Sequence, residues 1–547
     1  MSQRETFATL ARDTLDDYLA TYPVTATGLG EHRHDHRLGD SGPAAREAEL
    51  ARWQRRIAEL DAVDAGALDL ADQVDHEILR HRLSARCFEL SELREYEWNP
   101  LAANPGTAIH LLLARDFAPL PERLRALGGR LAQIPAALAT ARADLGDMPE
   151  VHVQTAIGQF TGTRTLLATE VERALRRLTG NGADAVRATV EPALAAAGTA
   201  LDEHIGWLQQ RLDDAHGDPR LGPELFGKRL RLTLDTDDSP DLVLYRANDE
   251  LARITDEIAE VASRIAGAPP HPAQVRDVLD GLAADAPDDE SIVELAATTL
   301  DETMAFVVEH DLVTVFDDPV QIVVMPEIHR GVAVAYCDPP GPLETAPLPT
   351  FYAISPTPAD WSAERRTSFF REYNVHMVRN LTIHEAMPGH VLQLGHDRRQ
   401  PPGSGVRAAF WSGPFVEGWA VFSEELMTRH GFGGDAVKMQ QLKMQLRMTI
   451  NAILDVRVHT RGMSRDEAMK LMIERGHQEE GEAVGKWRRS LLTSTQLSTY
   501  FVGYIGVRDL VAEVSAAHPE SSTRQLHDRV LSQGSPPPRH LRRLLGV

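Results

Sequence analysis

The chain is poor in cysteine and contains no long apolar run. Its 547 residues include only two cysteines, Cys87 and Cys337, which give no disulfide framework. No stretch approaches the roughly eighteen apolar residues that span a bilayer, and the first ten residues lack the apolar core of a signal peptide. We therefore expect a cytoplasmic protein that has no membrane partner.

Positive charge is also scarce. Lys and Arg number 57 against 80 Asp and Glu, so the formal net charge is −23. This balance argues against a general affinity for nucleic acid or for an anionic membrane. It leaves small substrates open, because a cleft can differ from the average surface. Apolar residues make up 43% of the chain and charged residues 25%, which is typical of a globular protein with ample length for a core. Nothing here fixes an oligomeric state.

Helical patterning covers most of the chain. Apolar residues fall near helical spacing over residues 3–21, and the stretch 44–265 is rich in strong helix formers. Farther along, three short runs rich in β-branched residues are separated by prolines, which predicts a small sheet. These runs cover residues 320–325, 331–336 and 350–354.

We therefore expect a mainly α-helical protein with a small β-sheet beside a cleft. The domain prediction is one unit over residues 1–547, within which residues 1–310 form a helical scaffold. Residues 311–547 are expected to carry the sheet and the helices of the site. One helix over residues 363–387 should deliver the motif that follows.

Two histidines and a glutamate in the stretch 381–393 indicate a metal site. His384 and Glu385 are adjacent, and His390 follows six positions after His384. The usual metallohydrolase spacing is four, and six positions at about 100° each would turn the two imidazoles about 120° apart. Pro388 and Gly389 remove this objection, because proline breaks the helix and glycine permits a turn closed to other residues. The alternative is a helix C-terminus with two ordinary histidines.

A catalytic zinc needs a third protein ligand, and Glu417 is the best candidate. Glu417 and Glu424 lie seven positions apart, close to two helical turns, so they share a face among large apolar residues. A carboxylate in such surroundings needs a partner. We predict Glu417 as the ligand and Glu424 as the acceptor for a ligand histidine. The reverse assignment and a solvated helix face are alternatives, and His376 and His396 are rival ligands.

Three residues toward the end of the chain are candidates for stabilising a developing oxyanion. Asp455 and His459 are four positions apart in a helical pattern, so Asp455 can orient His459 as a hydrogen-bond donor. The phenol of Tyr500 is a second possible donor. Each of these residues taken alone is more often structural than catalytic.

The assembled residues resemble a largely bacterial family known as domain of unknown function 885, which looks like a distant branch of the gluzincin metallopeptidases. The family pattern H-E-x-x-P-G-H-H-x-Q is present from His384 to Gln393, with Val391 in place of the second paired histidine. Its E-G-W-A segment corresponds to residues 417–420, and its later acid corresponds to Glu424.

Two further family segments are present with substitutions. The D-x-G-x-H segment corresponds to Asp455 and His459, with Arg457 in place of glycine. In the R-Y-x-x-x-P-G-Q segment and its continuation, Arg489, Gln496, Tyr500 and Gly503 are present. Ser490 replaces the tyrosine, and Ser494 and Thr495 replace Pro-Gly. The likeness covers nearly the whole chain, and the substitutions spare the expected metal ligands.

The sequence and the resemblance together predict a metal-dependent hydrolase of amide bonds in short peptides or peptide-like molecules. One zinc ion per chain would be held by His384, His390 and Glu417; manganese or iron also fits such a ligand set. Glu385 would be the general base, with His459 or Tyr500 stabilising the oxyanion. One alternative is a metal-dependent step of small-molecule biosynthesis at the same site. Another is a non-catalytic binding protein, which would have no need of Glu385.

Overall fold

The computed structural model describes residues 2–325, 334–359, 361–400 and 403–547. The protein is 70% helical and contains one three-stranded sheet among these residues. The prediction of a mainly α-helical protein with a small sheet is therefore confirmed. In the described part of the chain, none of the helices combines the length and the apolar composition that crossing a bilayer requires.

The helices are numbered in chain order. The first twelve are α1 Gln3–Thr21, α2 Pro23–Leu29, α3 Pro43–Asp61, α4 Leu70–Phe88, α5 Gly106–Ala114, α6 Leu120–Asp144, α7 Glu150–Leu166, α8 Glu172–Arg176, α9 Ala183–Arg211, α10 Gly222–Leu234, α11 Pro240–Ala266 and α12 Gln274–Leu282. The others are α13 Ile292–Glu309, α14 Ala363–Glu372, α15 Val375–Glu385, α16 His390–Asp397, α17 Val406–Ala409, α18 Gly413–Arg429, α19 Gly434–Arg461, α20 Arg465–Lys470, α21 Glu480–Leu492, α22 Thr499–Ala517, α23 Thr523–Leu531 and α24 Pro538–Leu545.

The sheet lies where the sequence predicts it. Its strands are β1 Val320–Val324, β2 Ala335–Asp338 and β3 Thr350–Ile354, in the spatial order β1-β3-β2. β1 runs parallel to β3, and β2 runs antiparallel to it. The second predicted run, 331–336, begins in residues 331–333, which lie outside the described residues, and the observed strand extends to Asp338.

The chain divides into two compact units. The first contains the residues up to Pro219 together with Pro340–Leu348 and Gly403–Phe410. The second contains the described residues of Arg220–Pro339, Pro349–Pro402 and Trp411–Val547. Residues 220–310 belong to the second unit, where α11 packs along α19. The single domain with a scaffold over residues 1–310 stays a prediction.

Each unit has its own apolar core. In the first unit, α6 packs against α9 around leucines and valines such as Leu131 and Leu201, both fully buried. In the second unit, α11 packs on α19 and α18 packs on α22, with Trp419 and Phe415 fully buried between them. All the candidate site residues belong to the second unit.

The predicted helix over residues 363–387 is wrong in one respect, since it is two helices. α14 ends at Glu372, and α15 begins after Asn374, whose side-chain oxygen accepts hydrogen bonds from the N–H groups of His376 and Met377. An asparagine at this capping position satisfies N–H groups that lack partners inside the helix. α15 therefore has its own N-terminus two turns before the site.

The helix that carries Glu417 is held against α22 at backbone distance. A Cβ atom on Gly418 would lie 2.3 Å from the carbonyl carbon of Gly503, and a Cβ atom on Gly503 would lie 2.0 Å from the carbonyl oxygen of Pro414. Only glycine fits at both positions. This contact fixes α18, and with it Glu417, beside the start of α22.

Candidate metal centre

After α15 the backbone makes a sharp turn and contacts the last residues of that helix. The N–H of Gly389 donates to the carbonyl oxygen of Ile383 at 3.0 Å, and α16 then starts at His390. A Cβ atom on Gly389 would lie only 1.9 Å from the carbonyl oxygen of His384. The indole N–H of Trp419 donates to the carbonyl oxygen of Pro388 at 2.9 Å. The turn is therefore fixed both by its glycine and by α18.

This turn brings the three predicted ligands together. Nε2 of His384 lies 3.5 Å from Oε2 of Glu417, and Nε2 of His390 lies 3.6 Å from the same oxygen. The two imidazole rings are nearly perpendicular, with their centroids 4.8 Å apart. All three donor atoms lie within 4.8 Å of one another.

The spacing and chemistry of these donors fit a divalent metal. Zinc ligands at about 2.0–2.2 Å in tetrahedral geometry lie about 3.4 Å from one another, close to the two observed His–Glu separations. Both separations exceed an ordinary hydrogen bond, and Oε2 of Glu417 is buried without a hydrogen-bond donor. Two imidazole nitrogens and one carboxylate oxygen suit zinc, and also manganese or iron.

The charges of the three groups attract one another. Burial lowers the pKa of the His384 imidazole, but the carboxylates of Glu417 and Glu424 outweigh burial and raise that pKa well above its usual value. Burial raises the pKa of the Glu417 carboxyl, but His384 and His390 outweigh it and hold that pKa far below its usual range. These interactions therefore favour a positive charge beside the Glu417 carboxylate.

Glu424 orients one of the histidines. Its Oε1 lies 2.7 Å from Nδ1 of His384, and its Oε2 accepts a hydrogen bond of 2.6 Å from the side-chain amide of Asn380. Glu424 is 2% exposed. With Nδ1 occupied in this way, Nε2 is the nitrogen of His384 that faces Glu417.

Glu385 is held by the sheet. The backbone N–H of Cys337 in β2 donates to Oε2 of Glu385 at 2.9 Å. Glu385 is the last residue of α15, directly after His384. One carboxylate oxygen of Glu385 is therefore fixed by the backbone of β2.

Tyr500 lies in the first turn of α22. The carboxylate of Glu417, followed by burial, raises the pKa of the Tyr500 phenol strongly, and Glu385 adds to the effect. The positive charge of Arg489 lowers the pKa, but by less. Tyr500 is therefore a neutral phenol at every physiological pH and is electrostatically coupled to both acids.

The predicted pair of Asp455 and His459 is wrong in its contacts. Asp455 is fully buried and accepts hydrogen bonds from the N–H groups of Thr495 and Ser498, at 3.0 Å each. Nε2 of His459 lies 3.0 Å from the carbonyl oxygens of Ser490 and Thr493. The two side chains point to different parts of one backbone segment instead of to each other.

Both residues therefore hold the segment between α21 and α22. The N–H of Leu221 donates to Nδ1 of His459 at 3.4 Å, so both ring nitrogens are engaged by backbone. Burial lowers the pKa of His459 to about 4, which keeps the ring neutral. This arrangement makes His459 a positioning residue, and Tyr500 stays the predicted oxyanion donor.

The two rival histidines have other partners. Nε2 of His396 lies 2.9 Å from the carbonyl oxygen of Thr314. Nε2 of His376 lies 3.6 Å from the carboxylate of Asp285. Neither belongs to the three-residue cluster formed by the described residues.

Comparison with known proteins identifies the family. The model of the family described as "Bacterial protein of unknown function (DUF885)" matches residues 23–545. The chain belongs to this family. The resemblance drawn from the sequence is thereby confirmed at the level of the family, whose description assigns no activity.

Two solved structures share the fold of this DUF885 protein. One, titled "a putative lipoprotein of unknown function" from Shewanella oneidensis, is 27% identical, with a TM-score of 0.84 over 99% of this chain and 100% of its own. The other, a "putative lipoprotein" from Colwellia psychrerythraea, is 17% identical, with a TM-score of 0.83 over 100% of this chain and 99% of its own. No curated protein matches significantly.

These titles bear on location. The titles of both similar structures use the words "putative lipoprotein", whereas the sequence analysis predicts a cytoplasmic protein. The cytoplasmic location therefore stays a prediction.

Several residues that build the DUF885 site escaped the sequence analysis. Asn380 lies four positions before His384, on the same helix face, and this spacing was a usable signal. No sequence signal pointed to the backbone N–H of Cys337 or to the indole of Trp419, because both act through contacts with segments distant in sequence. Thr495 was noted only as a substitution for glycine; it has a φ of 67°, in the left-handed region that favours glycine.

Proposed function

We propose that this DUF885 protein is a zinc-dependent hydrolase that cleaves amide bonds in short peptides or peptide-like molecules, with a site of the gluzincin type. The observation that carries the proposal is the convergence of His384, His390 and Glu417 directly beside Glu385. Each ligand type, and the acid next to it, has a role in amide hydrolysis. A pure metal-storage site would have no need of the acid.

His384, His390 and Glu417 would hold the zinc, and Glu424 keeps His384 in the required orientation. A bound zinc ion supplies Lewis acidity, which makes water a better nucleophile and polarises a carbonyl group. The buried Oε2 of Glu417, which lacks a hydrogen-bond donor, is the atom most in need of that cation.

Glu385 moves the proton. Its carboxylate takes a proton from the attacking water and transfers it to the leaving amine, which makes two proton transfers with one group. The hydrogen bond from the Cys337 N–H fixes one oxygen of Glu385. Because the anchor is a backbone group in a paired strand, the base keeps its position through both transfers.

Tyr500 stabilises the oxyanion. A neutral phenol donates one hydrogen bond, and the raised pKa of Tyr500 guarantees that its proton is present. Asp455 and His459 act indirectly, because they fix the backbone between α21 and α22 that precedes Tyr500.

The test compares Glu385→Gln with the wild type for metal content and turnover. Elemental analysis by mass spectrometry should give about one zinc per chain in both, while hydrolysis of a short-peptide panel falls by at least about 100-fold in the variant. Glu203→Gln is the matched control, because Glu203 is exposed on α9 in the first unit. Full activity in Glu385→Gln would rule out the mechanism.

The metal analysis also separates the alternatives. A His384→Ala variant should contain no zinc if the cluster is the site. Zinc in the wild type without peptide hydrolysis, but with turnover in a panel of small amides and acids, would favour the biosynthetic alternative. No zinc in either protein after zinc addition would favour a binding protein.

A further inference from the structure

The segment Pro340–Leu348, which we call the strap, belongs to the first unit and packs against the end of α2. The N–H of Leu343 donates to the carbonyl oxygen of Leu29 at 2.7 Å. The two backbones lie so close that a Cβ atom on Gly30 would be 2.4 Å from the backbone nitrogen of Glu344. In the chain, the strap joins β2 to β3. The connection between these strands is therefore held by contacts at the end of α2.

His32 links the strap to the loop that follows α2. Its Nε2 lies 3.0 Å from Oε2 of Glu344 in the strap, and its Nδ1 lies 3.0 Å from Oδ2 of Asp35. The ring stacks on Phe117, with the centroids 3.8 Å apart and the planes 6° from parallel. The side chain of His32 is 27% exposed, and those of Asp35 and Glu344 are 10% and 6% exposed. Both ring nitrogens are thus engaged in a mostly buried position.

Only the protonated ring of His32 satisfies this arrangement. An imidazolium donates from both nitrogens, whereas a neutral imidazole donates from one and presents a lone pair at the other. That lone pair would face a carboxylate oxygen, which has no proton to donate. Burial lowers the pKa of His32, but the hydrogen bonds and charges of Asp35 and Glu344 outweigh burial and raise that pKa above its usual value.

Asp35 has further donors that do not depend on the ring. The hydroxyl of Thr27 donates to Oδ1 of Asp35 at 2.6 Å, and the fully buried guanidinium of Arg130 in α6 lies 4.0 Å from the same oxygen. A second arginine of α6, Arg123, lies over the ring of Phe117 at 5.8 Å from its centroid. Asp35 therefore stays fixed in its loop when the imidazole loses its proton.

We propose that His32 is a pH-sensitive clasp that holds the strap when protonated and releases it when neutral. The neutral ring keeps its single N–H on Asp35, three positions away in the same loop, and gives up Glu344. Below about pH 6.5 the ring is protonated whether the strap is docked or released, so the contribution of the clasp is complete. That contribution is lost as the pH rises through the higher pKa of the docked state. The proposal does not depend on the hydrolase function.

Amide hydrogen exchange of the full chain, read by mass spectrometry, tests the clasp. Protection factors of a peptide that contains residues 341–348 are compared at pH 6 and pH 9, after correction for the intrinsic exchange rate at each pH. The wild type should lose at least about 10-fold in protection, because one unit of pKa shift corresponds to a tenfold change in the docking equilibrium.

Two substitutions separate protonation from packing. His32→Gln removes the group that titrates. Glu344→Gln removes the charge that faces His32 but keeps an oxygen for the N–H of Ala346, which donates to Oε1 of Glu344 at 2.8 Å. Both variants should show lower strap protection at pH 6 and no change between pH 6 and pH 9, and the double variant should add little to either. His36→Gln, at an exposed position in the same loop, should keep the wild-type pH dependence.

Three results would overturn the proposal. The first is wild-type strap protection that is equal at pH 6 and pH 9. The second is a fall in His32→Gln or Glu344→Gln as large as in the wild type. The third is a simultaneous fall in α6 and α9, which pack together in the core of the first unit, because the pH effect would then be global unfolding. Unchanged protection of these two helices in every variant is the control for folding.

Discussion

Nδ1 of His384 lies 2.7 Å from Oε1 of Glu424, and this contact selects Nε2 as the nitrogen of His384 that faces Glu417 and His390. Glu424 is buried, and its other oxygen is bound by Asn380. A carboxylate behind a ligand histidine makes the imidazole a better donor and fixes its ring. The orientation of the predicted zinc site therefore depends on a residue that would not touch the metal.

Replacing Glu424 by glutamine should weaken zinc binding. The glutamine side chain carries no charge. Its NH2 group can also face the NH2 group of Asn380, which would lose its hydrogen-bond acceptor. We expect the zinc dissociation constant to rise about 10–100-fold, measured by competition with a chromogenic chelator. Glu203→Gln is the matched loss of an exposed carboxylate and should bind zinc like the wild type. An unchanged constant in Glu424→Gln would remove Glu424 from the site.

Replacing Gly389 by alanine should destroy the turn that returns His390 to the cluster. The new Cβ would lie 1.9 Å from the carbonyl oxygen of His384, so the backbone must move. We expect a loss of about 1–3 kcal/mol of stability and a zinc content close to zero by elemental analysis.

Gly485→Ala is the control for this substitution. Gly485 lies within α21, and a Cβ atom there meets nothing within 4 Å. Alanine should therefore stabilise the protein by about 0.5–1 kcal/mol and leave the zinc content unchanged. Full zinc content in Gly389→Ala would show that the turn does not depend on its glycine.

Replacing Thr495 by glycine should stabilise the protein. Thr495 has a φ of 67°, and its N–H must point at Asp455 to make the 3.0 Å hydrogen bond. A β-branched residue in this conformation costs about 1–2 kcal/mol. Loss of the buried threonine side chain offsets part of the relieved strain. We therefore expect the free energy of unfolding, measured in urea, to rise by up to about 1 kcal/mol.

The neighbouring Ser494→Gly is the control, because Ser494 is not among the residues with positive φ. There the added freedom of glycine in the unfolded chain should destabilise the protein by about 0.4–1 kcal/mol. Equal effects of the two substitutions would contradict the assigned strain.

Acid should destabilise the second unit through two buried histidines. Burial lowers the pKa of His459 and of His527 to about 4, against an unfolded value of about 6.5. The unfolded chain therefore binds more protons below pH 6.5, so each histidine stabilises the folded state above that pH. This contribution, on the order of 3 kcal/mol each, is lost as the pH falls from 6.5 to 4.

The check is the free energy of unfolding in urea at pH 8, 6 and 4.5. His527→Asn should flatten the fall between pH 6.5 and 4.5, although it removes a ring that packs against Trp419 and Phe422. His271→Asn, at an exposed position, should keep the wild-type slope. A stability that stays constant down to pH 4.5 would refute the neutral state of these histidines.

Much of the fold was predictable because it depends on local patterns. Helix α1 matches the predicted range, and β3 has the predicted bounds, since side-chain periodicity and β-branched runs act over a few residues. The break between α14 and α15 was missed, because one asparagine cap interrupts an otherwise continuous helical pattern. The packing of α11 along α19 could not be predicted for another reason, because it joins segments far apart in the sequence.

The sequence by itself determined the members of the metal cluster: His384, His390 and Glu417. Their residue types suit a divalent metal, and Pro388 with Gly389 predicts that the helix turns. Only the tertiary structure decided which groups orient them, because Glu424, the N–H of Cys337 and the indole of Trp419 arrive from other elements. The same reason explains the error at Asp455 and His459. Helical spacing shows that two side chains can meet, but a backbone segment between α21 and α22 offered both of them better hydrogen bonds.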